Sequence, residues 1–582
     1  MGELSSYVLM PLMIALIFAA CNDRCRKRLL SVRTVASLEA RLQNADERLY
    51  WAAFALCMVA GIFARCWQFG VLPGGLNQDG TMAGVEAYCL LRDGTDQYGT
   101  SWPTYFEAWG FSQMSTLYSY VLIPFIRVLG LSRFSLRLPM LLVSVAMLLV
   151  AWDLARRIAG KGYALLTLFV LAGNPWHVLQ SRWALEANLM PHVLLMGAYL
   201  LYIGRERRWA LYLSMVFFAL TPYAYGVACF SVPVLLAGMA VYYLAKRRAR
   251  VVDVVVCAAI FGGIAAPYFV TMLINMLGLH SVTLGPITMP FFEKSLRSND
   301  ISFFQWNPYL VALENVRRFL GAFLLNDAHV HESYNAIGWA STMYVFSTPL
   351  IVFGAYRLWR DRRDMAQKND LQPFTSDGAM LILMWLIAAT VNGMAIGGVI
   401  NRNNVLFYAL ILVVAFALWQ MGRRLRVALC AALAVFSLGF CMLCVTYFTD
   451  EAYQQRIARS FHDGLQQALT DTWDWECDRY YLSIGGRADR VTLMSSQLMF
   501  AHRIDYSARL GAVQLTGPDG KPTGSYYSER YAFVDLDGAV LDSYERAVYI
   551  ITQENKRLFA PEDYLITDYG QYAVAYPRVW AE

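Results

Sequence analysis

Roughly twelve apolar stretches of about 15 to 23 residues recur before residue 447, near 6–20, 48–68, 136–155, 163–179, 189–204, 208–223, 226–245, 253–275, 341–357, 379–396, 404–421 and 425–447. A stretch of that length crosses the hydrocarbon of a bilayer as a helix, the form that satisfies every backbone amide inside lipid. The chain is therefore expected to be a polytopic α-helical membrane protein with about 11–12 helices. Composition agrees, with 57% hydrophobic and 16% charged residues among 582. The net charge of +6 is small for this length, and its cations sit in short clusters between the spans, which argues against a nucleic-acid partner. Eleven cysteines are scattered without metal-like spacing, and Cys57, Cys229, Cys257, Cys430, Cys441 and Cys444 lie inside apolar spans as small core residues.

The cation clusters set the topology. One further apolar stretch, 114–129, either crosses the membrane or lies in its interface. If it does not cross, the clusters at 24–33, 156–161, 205–208, 246–250, 357–363 and 423–426 all fall on one side, which the positive-inside rule makes cytoplasmic. If it crosses, the last five move outside, so the non-crossing topology is expected. It places 70–136, the turn 181–188, the loop 276–340 and the turn 392–404 on the extracytoplasmic side of a plasma membrane. The first span has Glu3 before it and Arg24, Arg26, Lys27 and Arg28 after it, the reverse of a secretory signal, and reads as an anchor with its N-terminus outside. From 448 to 582 the composition turns soluble, with a helix-like start at 451–469 and strand-like runs at 480–484, 491–494, 547–551 and 572–576. The expected organisation is an anchor helix and basic cytoplasmic segment over 1–47, a transmembrane domain over 48–447 with outer loops 70–136 and 276–340, and a small extracytoplasmic α/β domain over 448–582.

Residues 76–109 carry five carboxylates among aromatic residues directly after a span, and acidic groups held at a membrane surface need a reason beyond solubility. Asp79 and Glu86 lie seven apart, so a helix over 81–91 would set both near one face, in reach of one substrate hydroxyl. Asp79 could also cap that helix, and Glu86 could lie on an exposed face. Asp93-Gly94-Thr95-Asp96-Gln97-Tyr98-Gly99 is turn chemistry, and Trp102 suits an interfacial anchor. Arg182 and Glu186, four apart at the outer end of a span, either pair with each other or hold a charged substrate group. Arg402, in Asn401-Arg402-Asn403-Asn404, either snorkels to the interface or grips a phosphate with its planar donors. His329, His331 and Glu332 are metal-binding types without a zinc-enzyme spacing, the alternative being a solvated loop. Upstream, Leu310, Leu313, Leu320 and Phe323 alternate with Glu314, Arg317 and Arg318, as in an amphipathic helix on the outer membrane surface.

In order along roughly residues 49–422, the chain resembles polytopic glycosyltransferases of the GT-C type, close to the bacterial family-39, protein-mannosyltransferase-like members. The motifs that carry the resemblance are Leu76-Asn77-Gln78-Asp79-Gly80, Gly94-Thr95-Asp96-Gln97-Tyr98-Gly99 with Trp102-Pro103, Arg137-Leu138-Pro139, Ser181-Arg182-Trp183, Tyr223-Ala224-Tyr225-Gly226 and Asn401-Arg402-Asn403. The resemblance implies that a sugar leaves a polyprenyl-phosphate donor and passes, with inversion, to a lipid, glycan or protein acceptor at the outer face. It implies Asp79 as the catalytic carboxylate. Gly80 stands where the family's common Asp-Glu pair has its second acid, which leaves Glu86 or Glu186 as the substitute and leaves a divalent cation open. Arg182, Glu186, Arg402, Asp96, Tyr98, Tyr225 and Asn401 are the expected substrate-binding residues. A transporter or flippase for lipid-linked glycans is the competing class, and it would carry ionisable groups near the middle of its spans, where the sequence shows few. A polymerase or ligase of such glycans would concentrate its chemistry in a late outer loop, around His329 and Glu332.

Overall fold

The computed structural model describes residues 4–43, 47–108, 112–293, 307–325, 336–362, 374–485, 490–502, 513–516, 522–526, 530–537 and 541–581. His329, His331 and Glu332 lie outside the described residues. The chain opens with helices α1 (Met10–Cys21), α2 (Asp23–Leu30), α3 (Arg33–Gln43) and α4 (Glu47–Cys66). The side chain of Asn22 accepts from the first amides of α2, and the two helices meet at 89°, so basic α2 leaves the apolar anchor sideways. Beyond α4 come α5 (Gln78–Asp93), the hairpin of β1 (Tyr105–Ala108) and β2 (Ser112–Ser115), and α6 (Leu117–Leu129). With 13 residues α6 is about 20 Å long, a short apolar helix beside the longer spans.

Next, α7 (Arg133–Ala172) runs for 40 residues and folds back on itself. Ala159 and Gly160 leave helical geometry, Gly160 at φ 79°. A side-chain carbon on Gly61 would touch both Leu148 and Ala172 at 3.2 Å, whereas a straight helix would hold those two about 36 Å apart. One helix by hydrogen bonding is thus the two spans expected at 136–155 and 163–179. The bundle continues with α8 (Pro175–Gln180), α9 (Glu186–Gly204), α10 (Arg208–Ala224), α11 (Ala228–Ala245) and α12 (Val251–Leu277). After them come the hairpin of β3 (Val282–Leu284) and β4 (Ile287–Met289), α13 (Pro308–Leu324), α14 (Thr348–Asp361), α15 (Ser376–Ile396), α16 (Phe407–Gly422) and α17 (Arg426–Thr449). Among the described residues, eight helices are long and apolar enough to cross a membrane, or nine with the bent α1–α2 pair. That number counts α7 once, and α10 and α14 fall short of it at 17 and 14 residues. Helix α16 is buried along almost its whole length and forms the centre of the bundle. The expected amphipathic helix is α13, which buries Ala312, Phe319, Ala322 and Phe323 and leaves Leu310, Leu313 and Leu320 exposed.

The loops expected outside meet at one end of the bundle. Thr104 N donates to Thr288 O at 2.9 Å, Gly226 N to Ser115 Oγ at 3.1 Å, and Asn315 Nδ2 to Met394 O at 3.1 Å. The basic clusters gather at the other end, where Thr375 N donates to Ile158 O at 3.0 Å, Arg248 pairs with Asp377 at 3.0 Å and Arg424 reaches Cys21 O at 3.2 Å.

After α17 the chain forms an α/β domain of α18 (Glu451–Ser460), α19 (Leu465–Asp471), β5 (Arg479–Ser483), α20 (Arg490–His502), β6 (Val513–Thr516), β7 (Pro522–Tyr526), β8 (Tyr531–Val534), β9 (Ala547–Thr552), β10 (Tyr564–Tyr569) and β11 (Tyr572–Pro577). Its seven strands run in the order β10-β11-β9-β5-β8-β7-β6, with β5 parallel to both neighbours and the remaining pairs antiparallel. The run 491–494, expected as a strand, is instead the start of α20. That helix is buried on both sides, Met494 and Leu498 against the sheet and Met499 and Phe500 against the membrane domain, so tertiary burial overrides the local β-branched pattern. Gln497 Nε2 donates to Leu76 O at 3.0 Å, which docks this domain on the first outer loop.

The docking is close. Gly75 has φ 69°, and a side-chain carbon there would lie 2.1 Å from Phe461 O. Gly75→Ala is expected to part the loop from the C-terminal domain, read as faster tryptic cleavage at Arg456 and Arg459 in the purified protein.

Candidate functional site

Buried cations build the approach to the site. The last carbonyls of a helix have no partner within it, and those of α4 are taken by Arg182. Its Nη1 donates to Ala64 O and Arg65 O at 3.1 and 2.9 Å, and its Nη2 to Trp67 O and Leu72 O at 2.6 and 3.3 Å. Arg137 donates to Pro73 O and Gly75 O at 2.9 and 2.6 Å, and Arg65 to Gly61 O, Leu171 O and Ala172 O at 2.6, 3.0 and 3.0 Å. All three are fully buried, and among the described residues none meets a carboxylate. Helix-end and loop carbonyls supply the negative potential instead. Arg182, expected to pair with Glu186 or to hold substrate, is not paired with Glu186; its donors fix the 64–72 connection.

Asp79 sits half-buried in the first turn of α5. The helix starts three residues earlier than expected, with Asn77 at the cap position, so Asp79 is not the cap. A side-chain carbon on Gly80 would lie 2.7 Å from Ala184 O and 2.8 Å from Asn77 Oδ1. The turn 181–188 packs so tightly here that a second acidic side chain cannot follow Asp79. The same approach brings Glu186, at the N-terminus of α9, into electrostatic reach of Asp79. Tyr225, which closes α10, feels Asp79, Glu186, Tyr105 and Arg402 together. Burial pushes its phenol up and Arg402 draws it back, leaving a neutral hydroxyl. Asp79, Glu186, Tyr225 and Arg402 thus share one neighbourhood, supplied by four separate elements.

Other expected residues shape the surroundings. Glu86 is fully buried and accepts from Gln97 N at 3.0 Å and from the Gln97 side chain. Asp96 accepts from Tyr98 N at 2.9 Å and Thr100 N at 2.7 Å. These two carboxylates fold the turn that carries half-buried Tyr98. Asn401 lies half-buried beside Arg402, on a turn held by Asn392 Nδ2 to Arg402 O at 2.8 Å and Asn403 Nδ2 to Gly397 O at 2.6 Å.

Beneath the site lies a buried chain that the sequence reading missed. Arg65 Nε donates to His177 Nδ1 at 3.1 Å, Tyr408 OH lies 2.9 Å from His177 Nε2 and 2.8 Å from His192 Nδ1, and His192 Nε2 lies 3.2 Å from Ser144 Oγ. Arginine only donates, so with both rings neutral every proton points one way, from Arg65 through His177, Tyr408 and His192 to Ser144. One helical turn nearer the site, Asn188 stands above His192, and Asn404, in the 3-10 segment that precedes α16, donates from Nδ2 to Ala187 O. Glu186 Oε2, both amide atoms of Asn188, Asn404 Oδ1 and Trp176 Nε1 are buried without a hydrogen-bond partner. The i, i+4 pairs of polar residues at 188/192 and 404/408 in apolar helices were the legible signal. Among the described residues, no group of three or more His, Cys, Asp or Glu side chains converges that could hold a metal ion.

No known family profile matches the chain, and no curated protein matches it. Solved structures do. ArnT from Cupriavidus metallidurans, bound to undecaprenyl phosphate, superposes over 91% of this chain and 98% of its own, with a TM-score of 0.50 and 13% identity. The oligosaccharyltransferase AglB from Archaeoglobus fulgidus, in complex with an inhibitory peptide and a dolichol-phosphate, superposes over 78% of this chain and 64% of its own, with a TM-score of 0.45 and 14% identity. The likeness to ArnT is one of fold: a GT-C-like transmembrane bundle followed by a C-terminal sheet-containing domain.

Burial holds the Asp96 carboxyl up at about 6 from 3.8, against the two amides that pull it down. A folded acid that keeps its proton more tightly than the unfolded one stabilises the fold below 3.8, and this contribution is lost as pH rises to about 6. The thermal unfolding midpoint in detergent should fall across that window, and Asp96→Asn, which keeps an acceptor for Tyr98 N and Thr100 N, should flatten the profile by up to about 3 kcal/mol.

Proposed function

We propose that the chain is a membrane glycosyltransferase that moves a sugar from a polyprenyl-phosphate donor to a lipid, glycan or protein acceptor at the extracytoplasmic face, with inversion. The observation that carries this reading is the convergence of Asp79, Glu186, Tyr225 and Arg402 at the loop end of a GT-C bundle. The undecaprenyl phosphate bound by ArnT supports a lipid-phosphate donor.

A sugar-phosphate bond already has a good leaving group, so the reaction needs one base and cations more than it needs a general acid. Asp79 takes the proton of the acceptor hydroxyl as its oxygen attacks the anomeric carbon from the face opposite the phosphate. The carbon–oxygen bond to phosphate breaks, and the lipid phosphate leaves with both bonding electrons, steadied by the planar donors of Arg402. Glu186, a carboxylate from another loop, stands in for the second acid that Gly80 leaves out, and the neutral Tyr225 hydroxyl donates to the sugar or phosphate. The unpartnered amide of Asn188 and the unpartnered Oδ1 of Asn404 together offer a donor and two acceptors, which suits sugar hydroxyls better than a bare cation or anion. The ionisable groups of the buried chain lie near this end of the bundle, His192 about 9 Å below Glu186, rather than at mid-membrane where a transporter would need them.

In proteoliposomes with a radiolabelled polyprenyl-phosphate sugar, Asp79→Asn is expected to fold normally and to lose transfer by about a thousandfold or more, since the base is removed from the reacting oxygen. Near-normal transfer would overturn the reading. Arg402→Ala should raise the KM for donor by about tenfold or more, in line with one lost charge-assisted contact; an unchanged donor dependence would remove Arg402 from the site.

A further inference from the structure

At the opposite end of the bundle, where the cations gather, α9, α10, α11 and α12 line an open-mouthed cavity of about 260 Å³. Leu201, Met215, Leu236, Ala240, Cys257 and Phe261 are among its walls, and almost every wall atom is apolar. The volume exceeds the roughly 150 Å³ that admits a benzene ring in a dry protein cavity. It is separate from the candidate site, since Leu201 lies about 22 Å along α9 from Glu186.

The cavity sits directly against a cationic rim. Ala249, one of its walls, has Arg248 and Arg250 on either side, and Leu211 lies one turn into α10 from Arg208. The α9–α10 and α11–α12 connections together present Arg205, Arg207, Arg208, Lys246, Arg247, Arg248 and Arg250. Carboxylates meet some of these: Arg205 pairs with Glu206 at 2.8 Å, Arg208 with Asp253 at 3.6 Å and Arg248 with Asp377 at 3.0 Å. Arg207, Lys246, Arg247 and Arg250 are exposed and, among the described residues, form no ion pair. Trp209 is 56% exposed beside this rim, the position of an interfacial aromatic, and Val251, Val252 and Val255 offer an exposed apolar surface next to it.

Cations at a loop are enough to hold it on the cytoplasmic side. Exposed cations around the mouth of an apolar cavity do something more, because they match a phosphate and a hydrocarbon chain joined in one molecule. We propose that this cavity takes an acyl chain of an anionic phospholipid from the surrounding leaflet, with the headgroup phosphate on Arg207, Lys246, Arg247 and Arg250.

The test uses the full chain in detergent, titrated with dioleoylphosphatidylglycerol or dioleoylphosphatidylcholine, with retained lipid counted by native mass spectrometry. Phosphatidylglycerol is expected to be held at least about tenfold more tightly, and the triple variant R207Q/K246Q/R247N should erase that preference, each cation contributing to anionic-lipid attraction. Ala240→Trp, which fills the cavity, should abolish retention, and the milder Ala237→Leu should weaken it if the first variant does not fold. Equal retention of the two lipids, unchanged retention in both cavity-filling variants, or one-for-one displacement of phosphatidylglycerol by undecaprenyl phosphate would each overturn the proposal, the last by making this a prenyl-chain cavity.

Discussion

The geometry of the outer end depends on buried guanidinium groups held by backbone carbonyls. Arg182 gathers the last carbonyls of α4 and the chain just beyond, Arg137 holds Pro73 and Gly75, and Arg65 ties α4 to the end of α7. A buried cation without a counter-charge is costly, and what offsets the cost here is multiplicity: several carbonyls with aligned dipoles around each cation, at distances of 2.6 to 3.3 Å. The consequence is an irregular stretch, 67–77, made rigid without regular secondary structure. Asp79 begins on the first turn of helix that this stretch delivers.

The second constraint is a close approach. Because Gly80 has no side chain, the backbone of Ala184 can lie against α5, and this contact carries Glu186 toward Asp79. Two acids from separate elements are thereby brought near one another in space. The sub-layer of Arg65, His177, Tyr408, His192 and Ser144 joins α4, α8, α16, α9 and α7 just below them through one continuous run of hydrogen bonds.

The bundle is polar in the sense of having two unlike ends. Loops with carboxylates, aromatics and one half-buried arginine meet at one end beneath the C-terminal α/β domain, and the cation clusters meet at the other. The candidate site and the apolar cavity accordingly lie at opposite ends, in unlike surroundings of charge.

Sequence by itself determined the helical membrane bundle and the change to a sheet-containing C-terminal domain, and it offered the list of candidates that includes Asp79, Glu186, Tyr225 and Arg402, because hydrophobic length and charge placement are local quantities set by the bilayer. Glu86, Asp96 and Arg182 looked equally chemical in the sequence, and only the tertiary structure showed them bonded to Gln97, to the amides of Tyr98 and Thr100, and to the carbonyls of the 64–72 connection. The same holds for the fold-back of α7, the helical state of 491–494 and the His177–Tyr408–His192 chain. Each of these depends on which groups meet across the packed interior, where the partner of a buried polar atom or of an apolar face is supplied by distant parts of the chain.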